Sequence, residues 1–226
     1  MSSASSVTGR ILSIVLPVAL VMFAAVLHEV AHGWVAYKCG DNTAKNAGRL
    51  TLNPAKHLDP FGSVILPVIM AIAGGPVFAF AKPVPYNPNN LRHPRRDELL
   101  VALAGPASNL LQALVGAAIF RSVEPLYVSA SQVTLYWILY LLNLYVYVNL
   151  ILMFFNLIPL PPLDGSAIIS PFLSGKARMA YYKVQAYSMP ILLVVLYVIP
   201  TVLRVDPLGT YLTWTATGLS NVLLGG

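Results

Sequence analysis

His28-Glu29-Val30-Ala31-His32 is an HExxH pentad that follows the apolar run Ile11 to Leu27. Residues four apart share one face of a helix, so His28 and His32 can turn two imidazoles toward one metal ion with Glu29 beside them. Imidazole and carboxylate ligands suit zinc, and a site that keeps one position for water brings the pKa of that water toward neutrality. Glu29 is then the general base. As a bare pattern the pentad also turns up by chance on solvated helices. Here it sits on an apolar helix of lipid-spanning length, where an unsatisfied ionisable side chain costs on the order of 3 kcal/mol.

Two further stretches carry polar residues in apolar surroundings. The first runs from Asn156 to Gly165 and contains Pro159, Pro161 and Pro162, so the backbone must unwind there. Of the eight acidic residues in the chain, only Glu29 and Asp164 lie in strongly apolar sequence. Asp164 has two readings: a third ligand completing a His2Asp site with one open position, or an N-cap for the helix that starts near Gly165. The second stretch, Ala104-Gly105-Pro106-Ala107-Ser108-Asn109, opens a later apolar helix. Its small residues either let another backbone approach a site or form a plain packing face, and Pro106 frees a carbonyl. The Asn109 amide seeks a partner across the bundle.

The elements that must position these groups follow from composition. The chain has 226 residues, 57% of them hydrophobic and only 10% charged. That is the profile of a polytopic membrane protein rather than a soluble domain. Its net charge of +6 lies in short loops between apolar runs, so no nucleic-acid partner is expected. Cys39 is the single cysteine and forms no internal disulfide. The polar N-terminus followed by an apolar stretch superficially resembles a signal peptide. Cleavage after it would fall close to the HExxH pentad, so it reads as a retained first span.

Spans are expected at 11–38, 99–120, 133–157, 184–203 and 208–224. The segment 61–81 is apolar but holds Gly62, Pro67, Gly74, Gly75 and Pro76, and it lies between two basic loops. A plain crossing would put those loops on opposite sides of the membrane. A re-entrant hairpin keeps them together; a plain span is the competing reading, since two closely spaced short helices would also fit. With the hairpin, the Lys and Arg residues from Lys38 to Arg96 and from Lys176 to Lys183 fall on one side, eleven of the 14 in the chain. The positive-inside rule makes that side cytoplasmic, with the N-terminus outside and the C-terminus inside. The fold expected is all-α and polytopic, with about five transmembrane helices plus a re-entrant or extended membrane segment. Residues 1–226 form one domain, with a core at 11–175 and a C-terminal helical pair at 184–224.

HEVAH in a membrane span, GPASN opening a later one and NLIPLPPLDG after the next resemble, in order and spacing, the signatures of the site-2 protease family of intramembrane zinc metalloproteases. The resemblance covers residues from about 20 to 175. HLDPFGS and AKPVPYNPNNL resemble the compact subgroup, and no room is seen for a PDZ insertion or a CBS tail. The resemblance implies that His28, His32 and Asp164 bind one zinc per chain and that Glu29 activates water. Asn156 matches the family's asparagine upstream of the aspartate, with a role toward substrate backbone or the developing oxyanion, and Asn109 matches a polar position of the GPxxN signature. The implied partners are a transmembrane protein substrate and the lipid bilayer of the cell (inner) membrane, with the active site near the cytoplasmic side.

A helical substrate must unwind before attack, and the stretch from Val77 to Tyr86 is expected to pair with it as an added strand. His57 and His93, in polar loops, are expected to be solvated or hydrogen-bonded rather than ligating. Two rivals remain: a zinc or other cation transporter, and a catalytically silent relative that binds client helices. A transport path usually needs more polar ligands along the membrane than this chain offers.

Overall fold

The computed structural model describes residues 2–65, 68, 69, 72, 81–130 and 133–226. Helix α1 covers Ser2–Lys38, α2 Pro94–Ala130 and α3 Val133–Asn156. Within them Val15–Lys38, Pro94–Tyr127 and Val133–Asn156 are each long and apolar enough to cross a membrane. At a 1.5 Å rise, 24 residues of α1 reach about 36 Å against a hydrocarbon core of about 30 Å.

The chain then unwinds and restarts as α4, Asp164–Ile169, followed by α5, Gly175–Ala186, and α6, Ser188–Leu193, which runs on as a wider helix to Leu203. A final helical stretch comprises α7, Pro207–Leu212, wide turns over Thr213–Thr217, and α8, Gly218–Leu224. The fold is all-α, with no strand among the described residues. About five crossings are expected from the sequence. Three helices qualify among the described residues, or four if Gly175–Gln185 and Pro190–Leu203, bent by 67°, make one crossing. The stretch 208–224 is not among them; Thr210, Thr213, Thr215, Thr217, Ser220 and Asn221 dilute its apolar character. The re-entrant segment expected at 61–81 lies largely outside the described residues, which retain a wide helical turn at Pro60–Ile65.

Helices α1, α2 and α3 pack against one another, and α4 packs against α2. Ala113 and Ala117 of α2 meet Val146, Leu150 and Met153 of α3, with Ala216 and Leu224 of the C-terminal stretch closing the cluster. Between helices in lipid the gain comes from close packing rather than from release of water, so the alanines act by letting backbones approach. The outer faces stay apolar: Val15, Val18, Val21 and Phe23 of α1 and Leu111, Leu114 and Val115 of α2 are exposed. Such a surface suits lipid.

At the C-terminal end of α1 the polar loops are knitted together. Asp41, fully buried, accepts hydrogen bonds from Thr43 N at 3.0 Å and Thr43 Oγ1 at 2.5 Å, and from Asn87 N at 2.7 Å and Asn90 Nδ2 at 2.8 Å. Arg92 N donates to the Cys39 carbonyl. Lys82 is gripped twice, its N–H donating to the His57 carbonyl and its own carbonyl accepting from Arg49. These bonds hold the segment from Lys82 to Arg92 against the end of α1.

Burial pushes the Asp41 carboxyl up, but the bonds from Thr43, Asn90 and Asn87 outweigh it and hold the group below its ordinary range. A carboxyl depressed by folding stabilises the fold above its unfolded pKa of about 4, and that stability is lost as pH falls through the lower folded value. Asp41→Asn should therefore cost about 1–3 kcal/mol at pH 7, read as a lower Tm in detergent. The gap to wild type should narrow below about pH 4. A gap that ignores pH would remove Asp41 from this role.

Candidate metal centre

The pentad sits late in α1, where His28 is buried and His32 and Glu29 are half-buried. Asp164 arrives from the other end of the sequence. Gly165 makes this approach feasible, because any side chain there would collide with the carbonyls of Leu157 and Ile158 at the unwound end of α3. The N-cap of α4 is Leu163, with no side-chain cap, and the Asp164 carboxylate is turned toward the imidazoles instead. Its Oδ2 lies 3.1 Å from His28 Nε2 and its Oδ1 3.2 Å from His32 Nε2, while the two Nε2 atoms are 3.0 Å apart. Among the described residues, His28, His32 and Asp164 are the group whose ligand atoms could share one ion, all within 4.8 Å of one another.

Helix α2 fixes the two rings from behind. Val101, Gly105 and Asn109 are spaced four apart and form one stripe facing α1. His32 Nδ1 donates to the Val101 carbonyl at 2.6 Å, and His28 Nδ1 lies 2.6 Å from Asn109 Oδ1. Between them Gly105 comes so close that a Cβ would strike both imidazoles. The carbonyl that His32 uses is one residue before the carbonyl of Ala102, which Pro106 leaves without its helical donor.

A backbone carbonyl can only accept, so Nδ1 of His32 carries the proton and Nε2 of the neutral ring presents a lone pair. With Asn109 Oδ1 facing His28, the same holds there. Two imidazole lone pairs and a carboxylate then converge with no donor between them, and Asp164 Oδ2 is buried without a hydrogen bond. With both rings neutral that arrangement repels itself unless a proton or a metal ion lies between the ligand atoms, which stand 3.0–3.2 Å apart. The donor set, two imidazole nitrogens and one carboxylate, is one that zinc accepts with a position left open.

Glu29 Oε2 accepts a 2.8 Å hydrogen bond from the N–H of Val84, whose side chain is buried close to Gly33. Asn156 is half-buried, and its amide donates to the Leu152 carbonyl of its own helix at 2.9 Å. Asn109 is fully buried, with its Nδ2 donating to Asn149 Oδ1 at 2.9 Å. His57 is buried and donates from Nε2 to the Thr51 carbonyl at 2.8 Å. The segment expected to add a strand is described from Ala81 to Tyr86 as chain that is neither helix nor strand, with Val77 to Phe80 outside the described residues.

The model of peptidase family M50 matches residues 17–199, a range that holds all of the residues brought together here. The chain belongs to peptidase family M50. This M50 chain is 38% identical over 193 residues to YwhC of Bacillus subtilis, covering 83% of the chain and 79% of that protein. It is 29% identical over 179 residues to Rip2 of Mycolicibacterium smegmatis, covering 79% of the chain and 64% of that protein. With Rip2 of Mycobacterium tuberculosis strain H37Rv it shares 30% over 178 residues, 77% of the chain and 63% of that protein. These relatives are provisionally named zinc metalloproteases. The chain thus spans just under two thirds of the Rip2 proteins. No solved structure matches it.

The family and the apolar helices make this a multi-pass membrane protein of metalloprotease type. Three groups at the M50 site escaped the sequence reading. Val101 and Val84 act through backbone atoms, which no side-chain pattern reveals. Asn149 carried the same signal as Asn109, an amide within an apolar helix, and could have been found by it. Gly105→Ala should weaken zinc binding at least about ten-fold, the scale on which disturbed ligand orientation acts. Competition against a chromophoric chelator measures this, and wild-type affinity in the variant would show that α2 does not set the rings.

Proposed function

We propose that this chain is an intramembrane zinc metalloprotease that hydrolyses peptide bonds within or next to the transmembrane segment of membrane-protein substrates. The observation that carries the reading is the convergence of His28, His32 and Asp164, with Glu29 on the same turn, inside a helix of membrane-spanning length. Zinc, when bound, supplies a Lewis acid that polarises the scissile carbonyl and acidifies a water. His28, His32 and Asp164 would hold the zinc, one ion per chain.

Glu29 takes the proton of the attacking water and returns it to the leaving amine, so no covalent acyl intermediate is needed. The N–H of Val84 holds Oε2 and thereby orients the carboxylate, leaving Oε1 to receive the proton. Both rings of the ligand pair are held from α2, so attack geometry does not depend on mobile side chains. Asn156 faces substrate backbone or the developing oxyanion after releasing the Leu152 carbonyl. Asn109, enclosed with both ends of its amide engaged, serves His28 and leaves that role to Asn156.

The domain is single, with its core at 11–175. The excess of Lys and Arg between α1 and α2 makes that loop cytoplasmic and leaves the N-terminus outside, and with three crossings the C-terminus is cytoplasmic. His32 lies six residues before Lys38, roughly 9 Å along the axis, so water reaches the site by a short path from the polar loops. A helical substrate unwinds locally before attack, since its scissile carbonyl is otherwise spent in a hydrogen bond, and the stretch ending at Tyr86 offers it a strand partner.

The test is cleavage of a panel of single-span substrates by purified, zinc-loaded protein beside its Glu29→Gln variant. Loss of about 10²- to 10⁴-fold in rate is expected, the usual contribution of a general base, at unchanged zinc content. Equal cleavage by the variant would remove Glu29 from the chemistry. Zinc movement across proteoliposomes without cleavage would replace a protease with a transporter.

A further inference from the structure

The orientation of the Asn109 amide decides which nitrogen of His28 carries the proton, and Asn109 does not set that orientation alone. Asn149, fully buried in α3, donates from Nδ2 to the carbonyl of Tyr145 at 2.9 Å. A backbone carbonyl only accepts, so this bond fixes which end of the Asn149 amide is nitrogen. Its Oδ1 must then accept, and the Nδ2 of Asn109 donates to it at 2.9 Å. Asn109 Oδ1 is left facing His28, where it accepts from Nδ1 at 2.6 Å. Each link permits one direction.

We propose that Asn149 is a positioning residue for the metal centre, which reads the polarity of a backbone carbonyl in α3 and passes it through Asn109 to hold the His28 proton on Nδ1. This deepens the metalloprotease reading and rests on it. His28 Nε2 lies 3.1 Å from Asp164 Oδ2, so a ring protonated on Nε2 would hydrogen-bond that carboxylate and close two ligands to a metal at once. Asn109 by itself permits this, since its amide could turn over and offer Nδ2 to an unprotonated Nδ1. Asn149 forbids the turn, because it would set two donors or two acceptors against each other between two fully buried side chains. His32 needs no such relay, being held directly by the Val101 carbonyl.

Asn149→Leu frees the Asn109 amide to turn. Zinc affinity of the detergent-solubilised variant, measured by competition with a chromophoric chelator, should fall roughly 10- to 100-fold, the range seen when a ligand's outer partner is lost. Adding Asn109→Asp should restore most of it, because a carboxylate accepts from Nδ1 whichever way it is turned. A purely structural role for Asn149 predicts no rescue. A second readout needs no variant: ¹⁵N NMR of histidine-labelled, metal-free wild type should show His28 protonated on Nδ1, and protonation on Nε2 overturns the proposal even if Asn149→Leu fails to fold. Equal zinc binding by folded Asn149→Leu and wild type, or a folded double variant without rescue, also overturns it. A wild-type chain that binds no zinc sinks the metalloprotease reading together with this one, whereas zinc held equally by wild type and Asn149→Leu sinks this one alone.

Discussion

The contact between α1 and the stripe Val101, Gly105 and Asn109 on α2 governs the rest of the structure. It requires two apolar helices to approach closely enough for a backbone to lie against two imidazoles, which only glycine at 105 permits. In exchange, both Nδ1 atoms find acceptors and both Nε2 atoms are left to converge on Asp164. Without that contact the rings could rotate and satisfy themselves locally. The polar cost of placing His28, Glu29 and His32 in a lipid-length helix would then have no return in function.

Around this contact the remaining elements have distinct tasks. α3 buttresses α2 through an alanine-lined seam and, one turn from its end, yields to the prolines that let the chain double back as α4. The short α4 exists to deliver Asp164, and Gly165 allows it to nest against the carbonyls that α3 leaves exposed by unwinding. The loops at the C-terminal end of α1 are tied by Asp41, Arg49 and the backbone of Lys82, which brings Val84 over Glu29. Polar structure at the end of α1 thus sets the direction of the Glu29 carboxylate, the proposed general base, while apolar helix packing sets the two imidazoles.

The two layers differ in how they resist change. The ligand rings depend on close helix packing that tolerates no added atom at 105. The Glu29 carboxylate depends on a loop whose hydrogen bonds are numerous and partly shared, so a single loss there is absorbed in part. A substrate strand arriving beside Tyr86 would meet the second layer and leave the first undisturbed.

The sequence by itself determined the fold class and the medium, an apolar chain of all-helical type, and it placed an HExxH pentad on a helix repeat. It also singled out Asp164 and Asn109 as polar groups out of place. Those readings hold because cost in lipid is a property of residue type and spacing. The span count was less legible, since crossings at 184–203 and 208–224 were drawn from apolar runs while bends, wide turns and a row of threonines interrupt the helices. Whether Asp164 capped a helix or faced the histidines was open until α4 was seen to begin at that residue, because both roles favour the same side chain. Only the tertiary structure decided that Asn109 backs His28, that Asn149 stands behind it, and that Val101 and Val84 contribute carbonyl and N–H. Backbone groups are identical at every position, so their use at a site is fixed by where helices cross and not by which residues they carry.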